Sequence, residues 1–272
     1  MSCDNAQAAM TARDGIRRAE YGALLTEAYD LDKPEAPPEE LAYYLRHIRA
    51  CGETVLEAMC GSGRFLFPLL EAGIDIDGVD ASPHMLASCA ARCAERGLAA
   101  RLYEQLLHEL DLPRRYRLIF AGEASFGLVA DDAEVDESLR RLHGHLLPGG
   151  NLLVEIETPR YFEERTGRRD TSRLPVRRWT RPDGAEIILR SSGSYDPTTH
   201  IVTGAGNYEL RVSGKRVAEE SDEWVCRFWD PDDFAARLSA AGFVDVRATK
   251  AFSDELLDGS EKAVSFVARR AG

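Results

Sequence analysis

The sequence predicts an α/β fold in which a mostly parallel sheet is sandwiched by helices, preceded by a helical lid and interrupted by an inserted antiparallel β-meander. Three observations carry this expectation. From about residue 52, short apolar runs alternate with amphipathic stretches, the pattern of repeated βα units. Between about residues 174 and 229 the apolar period shortens to two, with Tyr208, Leu210 and Val212 set against Glu209 and Arg211. From Asp230 the helix-then-strand pattern resumes. The expected organisation is a lid over 1–50, a sheet core over 51–160 and 230–272, and an inserted β-subdomain over 161–229.

The elements follow in order. Helices are expected from about Ile16 to Tyr29 and from Glu39 to Arg49, the second with Leu41, Tyr44, Leu45 and Ile48 on one face. Thr54 to Glu57 is the first strand, and the helix after it carries Phe65, Leu66, Leu69 and Leu70 inward and stops at Gly73. Ile74 to Asp80 is the second strand. Ser82 then caps a helix whose first residue is Pro83 and whose end is Gly97. Strands near Arg101 to Glu104 and Arg117 to Ala121 come next, then a helix from Asp132 to Leu147 and a fifth strand from Asn151 to Thr158. Turns at Tyr195–Thr198 and Val212–Lys215 divide the meander. Asp230 and Pro231 open the last helix, and Phe243–Val246 and Ala263–Ala268 complete a seven-stranded sheet.

Composition excludes several classes of function. The chain has 272 residues, 44% hydrophobic and 29% charged, which is ordinary for a globular protein and unlike a disordered or collagenous one. A net charge of −12 disfavours nucleic acid and anionic membranes as partners. No apolar run reaches the roughly 18 residues of a membrane helix, and the first residues lack a basic and apolar leader, so a cytoplasmic location is expected. The six cysteines, at 3, 51, 60, 89, 93 and 226, have neither CxxC pairing nor histidines at zinc-ligand spacing, and no metal site is expected.

The chemistry gathers at one edge of the sheet. Gly61 and Gly63, just after a strand and at the head of a helix, let a ligand approach the backbone. Seventeen residues beyond Gly63, Asp80 ends the second strand, where a carboxylate can accept both hydroxyls of a ribose. A dinucleotide fingerprint wants a small residue where this chain has Leu66, and Glu57 would repel a pyrophosphate. An NAD(P)-dependent oxidoreductase is therefore the weaker alternative. Glu57 suits a ligand carrying an ammonium, and S-adenosylmethionine fits that description.

Val55 to Gly63, Gly78 to Ser82 with Met85 and Leu86, Tyr116 to Phe120, and Leu146 to Leu152 resemble the motifs of the class I S-adenosylmethionine-dependent methyltransferases. The lid and the insert resemble the small-molecule branch of that family, which includes sugar N,N-dimethyltransferases and glycine N-methyltransferases. The resemblance implies a Rossmann-like seven-stranded sheet that binds S-adenosylmethionine, releases S-adenosylhomocysteine and methylates a small-molecule acceptor. Nitrogen is the first acceptor, with carbon of an electron-rich ring such as an indole, or oxygen, as alternatives. It further implies that Glu57 and the loop of Cys60, Gly61 and Gly63 face the methionine moiety, Asp80 the ribose, and Ala81 and Met85 the ribose and adenine. Two departures stand out. Met59 occupies a position that is usually glycine, and the stretch after the third strand offers Gln105 and Leu106 to the adenine in place of an acid.

Other residues are read against simpler accounts. Glu123, after the fourth strand, can take a proton from the acceptor or orient it, or else meets solvent. Tyr21 and Tyr29 on the lid can cover the methyl group and bond an acceptor, Tyr29 as a catalytic group and Tyr21 against the cofactor, or pack half-buried. Trp179, Tyr195, Tyr208, Trp224 and Trp229 are expected in the core or interface of the insert. The arginine-rich stretch from Arg160 to Arg181 is expected as a solvated face, and His143 and His145 as surface residues. Apolar residues on the meander leave room for a homodimer. A cofactor-binding protein without catalysis is the third reading.

Overall fold

The computed structural model describes residues 20–52, 54–166, 170–171 and 174–272. Helices α1 (Ala23–Asp32) and α2 (Pro38–Cys51) precede β1 (Val55–Ala58), α3 (Leu66–Glu71), β2 (Ile76–Asp80), α4 (Pro83–Glu95), β3 (Arg101–Glu104), β4 (Tyr116–Ala121), α5 (Asp132–His145) and β5 (Leu146–Glu157). Then come α6 (Pro159–Thr166), β6 (Asp170–Thr171), β7 (Arg177–Thr180), β8 (Glu186–Asp196), β9 (Ile201–Val212) and β10 (Lys215–Arg227). The chain ends with α7 (Pro231–Ala240), β11 (Phe243–Lys250) and β12 (Ala263–Arg270). The main sheet has seven strands in the order β11-β12-β5-β4-β1-β2-β3. Its β3-β2-β1-β4-β5 part is parallel and the β12 and β11 edge antiparallel.

Alternation along the strands divides the core in two. Val55, Leu118, Phe120 and Leu153 face α2, α3 and α4. Their neighbours Leu56, Ile119, Ala121, Leu152 and Val154 face α5 and α7. This two-sided burial explains why the parallel strands read as continuous apolar runs. Helix starts obey the caps: Ser82 Oγ accepts from Met85 N at 3.2 Å, and Asp230 accepts from Asp232 N at 2.9 Å. The inserted sheet runs β10-β9-β8-β6, with β7 also paired to β8, and all these pairings are antiparallel. Among the described residues, no helix is long and apolar enough to cross a membrane.

Several expectations are corrected. The first helix begins at Ala23 rather than Ile16 and runs on to Asp32; residues 16–19 lie outside the described residues. Its start is set from a distance, because the Glu220 carboxylate on β10 accepts from Leu24 N at 3.0 Å and Leu25 N at 3.1 Å. A Cβ at Gly22 would sit 2.5 Å from that carboxyl carbon, so a larger residue there would push the Glu220 side chain off the helix start. Trp229 belongs to the main core and not to the insert, being 2% exposed and packed on Phe234. His145 is buried rather than superficial: its Nε2 accepts from Leu112 N at 3.0 Å, and Nδ1 lies 2.8 Å from the Arg141 carbonyl. From the arginine-rich stretch, Arg177 pairs with Asp32 at 2.6 Å and Arg181 with Glu27 at 2.7 Å, both acids of α1. Arg168, Arg169 and Arg173 lie outside the described residues.

Candidate active site

Each strand of a parallel sheet delivers its following loop to the same edge, and the site is assembled there from the ends of β1, β2, β3 and β4. Leaving β1, the backbone enters the left-handed region at Met59 (φ 59°), Gly61 (φ 52°) and Gly63 (φ 82°). Met59 thus takes a conformation natural to glycine, which accounts for the glycine expected at that place. Asp80 holds the turn. Its Oδ2 accepts from Gly61 N at 2.8 Å and its Oδ1 from Ser82 N at 2.8 Å, so one carboxylate fixes the loops after both β1 and β2. Burial raises the Asp80 pKa, and these backbone donors oppose the rise.

A cavity of about 260 Å³ opens beside this turn. Of the residues singled out from sequence, Tyr21, Tyr29, Gly61, Asp80, Ala81, Met85, Gln105, Leu106 and Glu123 line it. Three others, Glu57, Cys60 and Gly63, lie behind its wall. Gly63 serves packing, since a Cβ there would sit 2.5 Å from Cys89 Sγ. The Cys60 side chain turns beneath the loop toward Gly78. Gln105 spends its amide on its own loop, donating to Asp111 O at 3.2 Å and accepting from Asp111 N at 2.8 Å.

Behind the loop lies an incompletely satisfied charge cluster. Glu57 is 4% exposed, its Oε2 has no hydrogen-bond partner, and burial holds its pKa well above the usual carboxylate range. Arg64, 5% exposed, pairs with Glu123 through Nη2 while its Nε is without a partner. Glu123 also accepts from Lys33 Nζ at 2.7 Å. Burial works against its ionisation, but the Lys33 and Arg64 charges outweigh it and hold Glu123 below the ordinary range. Tyr29, roofing the site from α1, is pushed up to about 12 by burial and stays a neutral phenol. The Tyr21 phenol is raised further by its burial.

Sequence reasoning missed Lys33, Val79, Ser82, Leu107, His108, Ala124, Ser125, Leu128, Val129, Glu134, Glu157 and Cys226, which also line the cavity. Glu123 (φ 57°) and Ala124 (φ 53°) are two consecutive left-handed residues without a glycine to announce them. Glu157 and Cys226 come from β5 and β10, which only the fold brings to β1 and β2. Among the described residues, no group of three or more His, Cys, Asp or Glu side chains is arranged to hold a metal ion.

A left-handed glycine loop clamped by a strand-end aspartate, at the carboxyl edge of a sheet of this strand order, is an arrangement into which a nucleoside can fit. Residues 55–150 match the family model described as a methyltransferase domain. Among curated relatives, a dTDP-3-amino-3,6-dideoxy-α-D-glucopyranose N,N-dimethyltransferase of Streptomyces fradiae is 28% identical over 153 residues, 54% of this chain and 57% of that protein. A cypemycin N-terminal methyltransferase of a Streptomyces species is 29% identical over 149 residues, 54% of this chain and 60% of that protein. The match thus spans little more than half the length of these relatives. Among solved structures, an S-adenosylmethionine-dependent methyltransferase from Clostridium acetobutylicum superposes with a TM-score of 0.72 at 16% identity, covering 90% of this chain and 97% of that one. A sugar N-methyltransferase from Streptoalloteichus superposes at 0.70 and 19% identity, covering 100% and 99%. These likenesses establish the fold.

Proposed function

We propose that this chain is an S-adenosylmethionine-dependent methyltransferase acting on a nitrogen of a small-molecule acceptor. The observation that carries the cofactor assignment is the unpartnered Oε2 of Glu57, buried beside an arginine with an unpartnered Nε. This half-satisfied carboxylate and guanidinium lie just behind the glycine-bearing loop, where an amino acid zwitterion reaching past that loop would turn its ammonium toward Glu57 and its carboxylate toward Arg64. Asp80 retains acceptor capacity for ribose hydroxyls beside its two backbone donors. Ala81, Met85, Leu106 and Leu107 supply apolar surface for a base ring.

When bound, the sulfonium of the cofactor supplies an activated methyl group. The protein's task is then to hold the acceptor in line and to exclude water. Tyr29 and Tyr21 close the cavity from the lid as neutral phenols able to donate hydrogen bonds. Glu123, ionised and tied to Lys33 and Arg64, is a poor general base at neutral pH and orients a cationic group electrostatically. Among the cavity-lining residues the acids Asp80, Glu123, Glu134 and Glu157 outnumber the one lysine, Lys33, a balance that favours an amine over a phenolate or carboxylate acceptor. The nitrogen acceptors named in the Streptomyces relatives support the same choice.

Calorimetric titration with S-adenosylhomocysteine, with NADH and NADPH as controls, tests the cofactor. Binding of the first alone is expected, followed by labelled methyl transfer to members of an amine panel and not to phenols or indoles. Binding of a nicotinamide cofactor instead would overturn the assignment of Glu57, Gly61 and Asp80.

A further inference from the structure

Tyr21 enters the lid in a backbone conformation that its side chain does not favour. Its φ is 46°, in the left-handed region, and a bulky residue stays there only where its surroundings hold it. Holds lie on both sides of it. Before it, Glu20 N donates to Asp222 Oδ1 on β10 at 3.0 Å. After it, the Glu220 carboxylate accepts from Leu24 N and Leu25 N. The Tyr21 carbonyl itself accepts from Ser82 Oγ at 2.8 Å and from Thr26 Oγ1 at 3.2 Å. Thr26 belongs to the lid, and Asp222 and Glu220 to the insert, so of these residues Ser82 is the tie to the main sheet.

Ser82 is 4% exposed, and both its amide and its hydroxyl are in use. The amide donates to Asp80 Oδ1 at 2.8 Å. The hydroxyl oxygen accepts from Met85 N at 3.2 Å, closing the first turn of α4, while its proton goes to Tyr21 O. A hydroxyl has one proton and two lone pairs, so capping the helix and holding the lid do not compete. An aspartate would cap α4 as well, but an ionised carboxylate has no proton to give the Tyr21 carbonyl. Ser88 and Arg92 of the same helix hold Asp30, near the far end of α1, which leaves the entry of the lid to Ser82.

We propose that Ser82 is a positioning residue that couples Asp80 to the lid, its hydroxyl fixing the turn that sets the Tyr21 phenol against the bound cofactor. Asp80, Ser82 and Tyr21 all line the cavity, and they are joined in that order by the two hydrogen bonds of Ser82. A ligand that bonds Asp80 fixes the carboxylate on which the Ser82 amide rests. A fixed Ser82 in turn keeps its hydroxyl on the Tyr21 carbonyl, so ligand binding and lid docking stabilise each other. The coupling is reciprocal: whatever lid docking adds to ligand affinity, the ligand adds to lid docking. The part played toward the cofactor rests on the function proposed above; the hold on the lid does not.

The test uses two substitutions in the full chain. Ser82→Gly removes the hydroxyl at an N-cap where glycine costs little, and Ser82→Thr keeps both the cap and the donor. Hydrogen exchange of the segment 20–32 is followed by mass spectrometry, with and without saturating S-adenosylhomocysteine, and affinity for that ligand by calorimetry. In Ser82→Gly the melting temperature is expected to stay close to wild type. Exchange of 20–32 accelerates about fivefold and affinity weakens about fivefold, the scale of one hydrogen bond. The ligand also protects that segment less than in wild type. Ser82→Thr keeps the slow exchange and the affinity. In a Tyr21→Ala background Ser82→Gly costs no further affinity, because the hydroxyl acts through the phenol. Unchanged exchange of 20–32 in Ser82→Gly would overturn the proposal, as would a threonine variant that exchanges like the glycine one. So would an affinity loss as large in the Tyr21→Ala background as in wild type, which would make Ser82 a direct ligand of the cofactor. If the wild-type protein does not bind S-adenosylhomocysteine, the cofactor reading has failed, and exchange in the free protein still decides whether Ser82 holds the lid.

Discussion

At the scale of single residues, two carboxylates at the same sheet edge are set for different tasks by their partners. Asp80 is bonded on both oxygens, while Glu57 is left with a bare oxygen in the interior. Asp80→Ala removes the proposed ribose acceptor and the clamp between two loops, and S-adenosylhomocysteine affinity is expected to fall by about 1.5–3 kcal/mol in a calorimetric titration. Unchanged affinity would remove Asp80 from the site. Glu57, raised by burial, is protonated in the free protein over a range where an ammonium partner would ionise it. Binding is therefore expected to release a proton, seen as an enthalpy that varies with the ionisation heat of the buffer, and Glu57→Gln should abolish that variation. Glu155 affects stability instead. Burial lifts its pKa from 4.5 to about 8 although Tyr44 Oη donates to it at 2.5 Å. A folded pKa above the unfolded one means that the folded state binds the extra proton, so this contribution is whole below about pH 4.5 and is lost as pH rises through 8. The melting temperature is expected to fall across that window, and less steeply in Glu155→Gln. Gly61 and Asp80 were legible in the sequence because a glycine after a strand and an acid at a strand end have few other uses. The Glu123–Ala124 turn was not, because left-handed backbone at ordinary residues leaves no mark in composition.

At the scale of elements, the lid helix is the least self-sufficient part of the fold. Its ten residues are too few to be stable alone, and it carries no acid in its first turn. Its anchors come from elsewhere: Glu220 caps it, Arg92 and Ser88 of α4 hold Asp30 at 2.9 and 2.5 Å, and Arg177 and Trp179 of β7 hold Asp32. The sequence therefore shows that a helix lies near Tyr29 but not where it begins, since the cap is a glutamate some 200 residues away in the chain. Caps carried by neighbours, such as Ser82 and Asp230, were legible for the opposite reason. Glu220→Ala is expected to cost about 1 kcal/mol of docking, the value of a helix cap. The loss should fall on the lid, so limited proteolysis should cut within 20–32 sooner while the melting temperature of the whole protein hardly moves. A fall in melting temperature with unchanged proteolysis would place Glu220 in the global fold.

At the scale of the whole molecule, the order of strands follows from chemistry that can be read along the chain. Apolar runs buried on both faces demand helices on both sides, and the switch to period two at 174–229 demands a separate half-buried sheet. What cannot be read is how the insert meets the lid, because that junction includes ion pairs between surfaces distant in sequence. Arg177 and Arg181 look like solvated charge in the sequence, whereas in the fold they bind acids of α1. The lid is thus the strut between the core and the inserted sheet as well as the roof of the cavity. Leu24, Leu25 and Ala28 are buried, yet none belongs to the two main core clusters. Removing residues 1–32 should leave those clusters intact while unroofing Tyr21 and Tyr29, so circular dichroism should show a cooperatively folded protein with a modestly lowered melting temperature. S-adenosylhomocysteine affinity and methyl transfer should both collapse. An aggregated product would make α1 part of the folding core, and a truncated protein with full affinity would confine the cofactor site to the loops after β1, β2 and β3.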